Sequence, residues 1–71
     1  MSLSPVKLEI LDDLLLRDRS VKPIQVSKEI GKEFPSVMMH ILGLIRMGYV
    51  ISSEKGYYTI TQKGKKISWI A

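Results

Sequence analysis

The chain offers little from which to build a catalytic site. It has no cysteine and a single histidine, His40, so a disulfide, a Cys-based zinc site and a multi-histidine site are all excluded. A Ser-His-acid set would have to be assembled around that one imidazole. Asp12 and Asp13 are neighbours on a helix surface, which is not the geometry of two carboxylates facing across a cleft. Gly31, Gly43, Gly48, Gly56 and Gly64 are scattered and form no phosphate-cradling loop. The expectation is a binding protein, not an enzyme, with no cofactor.

The chemistry that remains is that of cations. The formal net charge is +4, and its placement matters more than its size. Over residues 1–33, Lys7, Arg17, Arg19, Lys22, Lys28 and Lys32 are matched by Glu9, Asp12, Asp13, Asp18, Glu29 and Glu33. Over residues 34–71, Arg46, Lys55, Lys63, Lys65 and Lys66 stand against Glu54 alone. The whole excess therefore lies in the second half, and a polyanion is the simplest partner for it; a merely solvated basic surface is the plain alternative.

The elements that must hold these cations are short. With 71 residues the chain can form one domain, whose core supplies only roughly 3–5 kcal/mol of net stability. An apolar fraction of 45% is ordinary for a globular chain. No run approaches the roughly 18 continuous apolar residues of a membrane span, and no signal-peptide pattern opens the chain. The expectation is a cytoplasmic protein with no membrane partner.

Ser4 and Pro5 read as a cap and first turn, followed by Val6, Ile10 and Leu14 at spacing four, with Leu11 and Leu15 beside them. This predicts a first helix over 5–16. Arg17 to Lys22 reads as a loop. Pro23 is expected to bar a helix there, and Ile24 to form a strand of one or two residues. Val26, Ile30 and Phe34 then predict a second helix over 26–33. Ser36 is placed as a cap for a third helix running to Met47, with Val37, Ile41 and Leu44 on one face and Met38, Leu42 and Ile45 on another. Gly48 ends it in a left-handed stop. Residues 49–53 and 57–60 predict a hairpin around Glu54-Lys55-Gly56. Pairing Ser53 with Tyr57 sets Val50 opposite Ile60 and Ser52 opposite Tyr58, with Val50, Tyr58 and Ile60 inward. Thr61 caps a last helix in which Gly64 is a weak point and Ile67 and Ile70 face inward.

This order resembles the winged helix domains of bacterial and archaeal transcriptional regulators, including the MarR-like and ArsR-like families. Ser36-Val37, Ile41, Leu44, Gly48, Tyr49 and Val50 look like the recognition helix and its exit. Tyr58, Ile60, Thr61, Lys63 and Gly64 look like the second wing strand and its turn into the last helix. The resemblance spans about residues 5–70. It implies an α+β fold, a small winged helix-turn-helix domain over 1–71 with a three-helix core, a β-hairpin wing and a C-terminal helix. It also implies transcriptional regulation by contact with double-stranded DNA, with helix 26–33 as support, helix 36–47 as reader and residues 52–57 as wing. Two features depart from the family. Phe34 and Pro35 adjoin with no glycine-bearing turn between the second and third helices. Met38, Met39, Leu42 and Gly43 stand where relatives offer polar side chains.

The candidate DNA contacts are Ser36, Met39, His40, Arg46, Lys55, Tyr57, Lys63, Lys65 and Lys66. Ser36 either caps its helix or meets a phosphate at the helix N-terminus. His40 either reads a base or phosphate or is an idle helix residue. Arg46 either binds a phosphate or serves the helix dipole. Lys55 is placed at the wing tip, and Tyr57 at the wing base. Positive charge at Lys63, Lys65 and Lys66 is locally unfavourable at a helix start, for which phosphate contact would account. The wing and last helix are thus expected to carry more affinity than the third helix. The apolar surface of that helix, Met38, Met39 and Leu42, either packs into the core with partial exposure or points to a protein interface through Met38 and Leu42, or to a homodimer completed by Trp69 and Ile70.

Overall fold

A computed structural model describes residues 3–70, with side chains described over 3–67. Helix α1 spans Pro5–Arg17, α2 Pro23–Ile30 and α3 Phe34–Arg46; strands β1 (Val50–Glu54) and β2 (Tyr57–Ile60) form an antiparallel hairpin, and α4 spans Gln62–Ile70. The class is α+β, a three-helix core with a hairpin wing and a C-terminal helix, the architecture of a small winged helix-turn-helix domain.

The start of α1 follows its sequence. Ser4 accepts the Lys7 N–H through its hydroxyl at 3.3 Å, and Pro5 occupies the first turn. The stripe buries Ile10, Leu11 and Leu14 completely, against Val26 of α2, Val37, Ile41 and Leu44 of α3, and Val50 and Ile60 of the hairpin. Burying each such side chain contributes about 1.5–3 kcal/mol before chain entropy is charged against it.

The second helix corrects the expectation. Pro23 begins it rather than barring it, because a proline in the first turn has no intrahelical N–H to lose. Gln25 folds back to accept the Lys22 N–H at 3.1 Å. Ile24 is therefore helical, and the strand-like residue is Val21, which exchanges both backbone hydrogen bonds with Tyr58 at 2.9 Å. The helix ends at Ile30 because Gly31 takes a left-handed φ of 69°. Ser27, buried, donates its hydroxyl proton to the Lys32 carbonyl and locks this turn. Gly31 to Glu33 thus form the glycine-bearing turn that the periodicity of Val26, Ile30 and Phe34 concealed. Phe34 opens α3 instead of closing α2, and Glu33, not Ser36, holds the N-cap position.

The exit of α3 is as expected, with Gly48 at φ 83° and the Tyr49 N–H reaching the Leu44 carbonyl at 3.0 Å. In the hairpin Val50 faces Ile60 and Ser52 faces Tyr58, but Tyr57 pairs with Glu54, not Ser53. Ser53 is the extra residue of a bulge, its hydroxyl bonded to that of Ser20. Val50 and Ile60 are buried, and Tyr58 packs half-buried against the core.

Gly64 is no weak point. A Cβ there would lie 2.2 Å from the Tyr49 carbonyl oxygen and 2.8 Å from a side-chain carbon of Ile60. Only glycine lets α4 seat against the start of β1. Ile67 packs half-buried against the core, as expected of the inner face. The side chains of Trp69 and Ile70 lie outside the described residues, and so does the dimer role considered for them.

Candidate nucleic-acid interface

The buried side of α3 is set by Val37, Ile41 and Leu44. With 3.6 residues per turn, the opposite side carries Pro35, Met39, Leu42 and Arg46, and all four are exposed. Met39 is 74% exposed and Leu42 48%. Among the described residues no element covers them, so the apolar surplus of the sequence is displayed outward. Arg46 ends this face and makes no ion pair or hydrogen bond among the described residues.

Beside the face runs an open groove of about 380 Å³ between the start of α2, the start of α3 and the hairpin turn. Ile24, Phe34, Met38 and Tyr58 supply its apolar lining, Lys22 and Gly56 its margins. Met38 therefore faces the hairpin and is half-buried, while Leu42 faces outward. The two residues named together as a protein interface point in different directions. Lys55 is exposed in the hairpin turn next to Gly56. Lys22 lies over the ring of Tyr57, 5.5 Å from its centroid, which holds that cation at the wing base.

The far flank of α3 carries a cation that the charge count had treated as balanced. The Lys7 ammonium, from α1, donates to Nδ1 of His40 at 3.2 Å. Its methylenes pass over Gly43, where a Cβ would stand 3.0 Å from Lys7 Cε. With Nδ1 accepting, the ring proton of His40 lies on Nε2. Partial burial, and then the Lys7 charge, hold the His40 pKa below its ordinary 6.5. His40 is thus a neutral ring engaged by its own chain. Ser36 is half-buried in the first turn of the helix. No local pattern in the sequence announces Lys7 or Lys22, because their placement depends on contacts with α3 and the hairpin.

The cations of α4 have internal work. Lys63 donates to the Met47 carbonyl at 2.9 Å and sits 5.1 Å from the centroid of Tyr49. It satisfies a carbonyl left free at the end of α3, where positive charge is favoured. Lys65 pairs with Asp18 at 3.2 Å across to the end of α1. Lys66 is exposed and has no partner among the described residues. The lysine run at the start of α4 therefore does not call for an outside anion to account for two of its three members.

Among the described residues no cluster of three or more His, Cys, Asp or Glu is placed to hold a metal. No helix among them is long and apolar enough to cross a membrane.

No protein-family model matches the chain. Over 65 residues it is 29% identical to an uncharacterized protein of Methanocaldococcus jannaschii, a stretch covering 89% of this chain and 25% of that protein. The chain thus spans about a quarter of the length of the curated relative it matches.

Proposed function

We propose that this domain binds duplex DNA as a winged helix of the transcription-regulator type, acting in the cytoplasm, with phosphates as its main contacts. The observation that carries the reading is a face of α3 left uncovered among the described residues and ending in Arg46, with a groove beside it that leads to the hairpin turn, where Lys22 lines the groove and Lys55 stands exposed next to Gly56. A helix face of this kind fits the major groove, and cations at its margins meet the flanking backbones. The positive excess of residues 34–71 adds long-range attraction.

The test is titration of a labelled duplex at two salt concentrations. Three phosphate contacts predict a loss of affinity of about 40-fold for a fourfold rise in salt. Replacing Arg46 or Lys55 by alanine should flatten the log–log slope by about 0.9 each. Absence of binding at low salt removes the proposal.

One observation favours a second reading, a protein-interaction domain: Met39 and Leu42 are apolar, adjacent on α3 and exposed. Under that reading L42E abolishes an assembly seen by light scattering, and duplex binding is absent.

A further inference from the structure

The outer face of α3 presents Met39 and Leu42 where a reading helix would present hydrogen-bonding groups. In the major groove, base pairs differ by their donors and acceptors and by one apolar feature, the C5 methyl of thymine. A face of thioether and isobutyl side chains cannot sort donors from acceptors, but it can gain by covering a methyl. His40, the one ring on this helix with donor and acceptor atoms, already has Nδ1 occupied by Lys7. Arg46 is the single polar side chain in line with Met39 and Leu42, and it lies at the end of the helix, where a backbone phosphate is within reach.

We propose that α3 selects DNA by apolar contact of Met39 and Leu42 with thymine C5 methyls, so that its ligand is A·T-containing duplex read by methyl position. The inference rests on the duplex-binding reading above. Charge complementarity favours this occupant over a second apolar protein surface. Arg46 ends the face, Lys22 lines the groove beside the helix and Lys7 reaches its far flank. Cations at the end and on both flanks of the helix suit a ligand that is anionic at its edges and carries methyl groups at its floor. A second copy of this chain would set like charges against each other there. Methionine also adapts to the varied spacing of methyls on successive base steps.

Base-substituted duplexes test this first on the unaltered protein. The full chain is titrated with a duplex of alternating A and T, and with the same duplex containing deoxyuridine in place of thymidine. Pairing and charge are retained and only the methyl is lost. The thymidine form should bind about fivefold more tightly, the gain expected for covering one or two methyl groups. A second pair carries the converse change: replacing cytosine by 5-methylcytosine in a G·C duplex puts a methyl at the same depth and should raise affinity by a similar factor. The M39A and L42A variants, whose changes lie on an exposed face, should reduce both ratios towards one and leave the salt slope unchanged. Circular dichroism checks that the variants are folded.

Equal binding of all four duplexes, with the salt dependence intact, overturns the methyl readout and leaves duplex binding standing. Binding to none of them at low salt removes both. A dimer in light scattering that M39E dissolves, with the methyl ratios at one, assigns the face to a second copy and overturns the inference.

Discussion

At the entrance of α4, Thr61, Lys63 and Lys65 each contact a group elsewhere in their own chain. Thr61 accepts the Gly64 N–H at 3.0 Å and donates to the Gly48 carbonyl at 2.7 Å, Lys63 caps Met47, and Lys65 reaches Asp18. On the outer face of α3, which precedes the hairpin in the chain, Met39, Leu42 and Arg46 have no such contacts among the described residues. In sequence the first region is polar and basic and suggests an outside ligand, whereas the second is apolar and suggests a core. In space the polar region is a structural joint and the apolar region is open. The difference teaches that a lysine near a helix start has two possible anions to serve, a foreign phosphate or a carbonyl that its own fold leaves unsatisfied. At Lys63 the second is 2.9 Å away.

The sharpest way to break this comparison is at Gly64. G64A puts a methyl 2.2 Å from a backbone carbonyl that is itself bonded to the Thr61 N–H. Overpacking against backbone predicts a loss on the order of 3 kcal/mol, most of what a domain of this size has. Urea or thermal unfolding measures it; a variant as stable as the parent would show that α4 can move away freely.

A smaller effect separates the two kinds of cation. K63M should cost about 1 kcal/mol, because it removes a charged donor from the carbonyl end of α3 in an exposed setting, and should leave the salt dependence of duplex binding unaltered. R46A should do the reverse, weakening binding with little change in stability. If K63M flattens the salt slope as R46A does, the joint is also part of the interface.

The smallest effect concerns His40. Its folded pKa lies below 6.5 while the unfolded chain titrates near 6.5, so the unfolded state takes up the proton first as the pH falls. The associated stability is present above about pH 6.5 and is lost as the pH drops through the lower folded value. Thermal midpoints of the parent and H40Q at pH 7.5 and 5 should therefore differ, with the parent showing the larger decline. Parallel declines would mean that the partial burial of His40 and its contact with Lys7 are not maintained in solution.

Much of the fold is legible in the residues. The cap at Ser4, the stripe Ile10-Leu11-Leu14, the stop at Gly48, the Val50–Ile60 and Ser52–Tyr58 pairings and the Thr61 cap all depend on neighbours within a few positions or across one hairpin. The second helix was misplaced for an equally local reason. Val26, Ile30 and Phe34 share a spacing of four, yet Gly31 interrupts the chain between the last two, and Pro23 can open a helix as readily as end one. The site was less legible. Met39, Leu42, Arg46 and Lys55, readable from the sequence as candidate contacts, are exposed, but no pattern in the sequence singles out Lys7 or Lys22, and none shows that Lys63 and Lys65 have partners within the chain.

What the sequence determined by itself is the order of elements, the apolar stripes and the surplus of positive charge after residue 33, because these follow from composition, capping and period. Only the tertiary structure decided which charges are spent and which are free. Lys7 meets His40 across 33 residues and Lys63 meets Met47 across 16. Such pairs are set by how helices cross, and crossing is decided by packing of the shared core, not by any pattern along the chain.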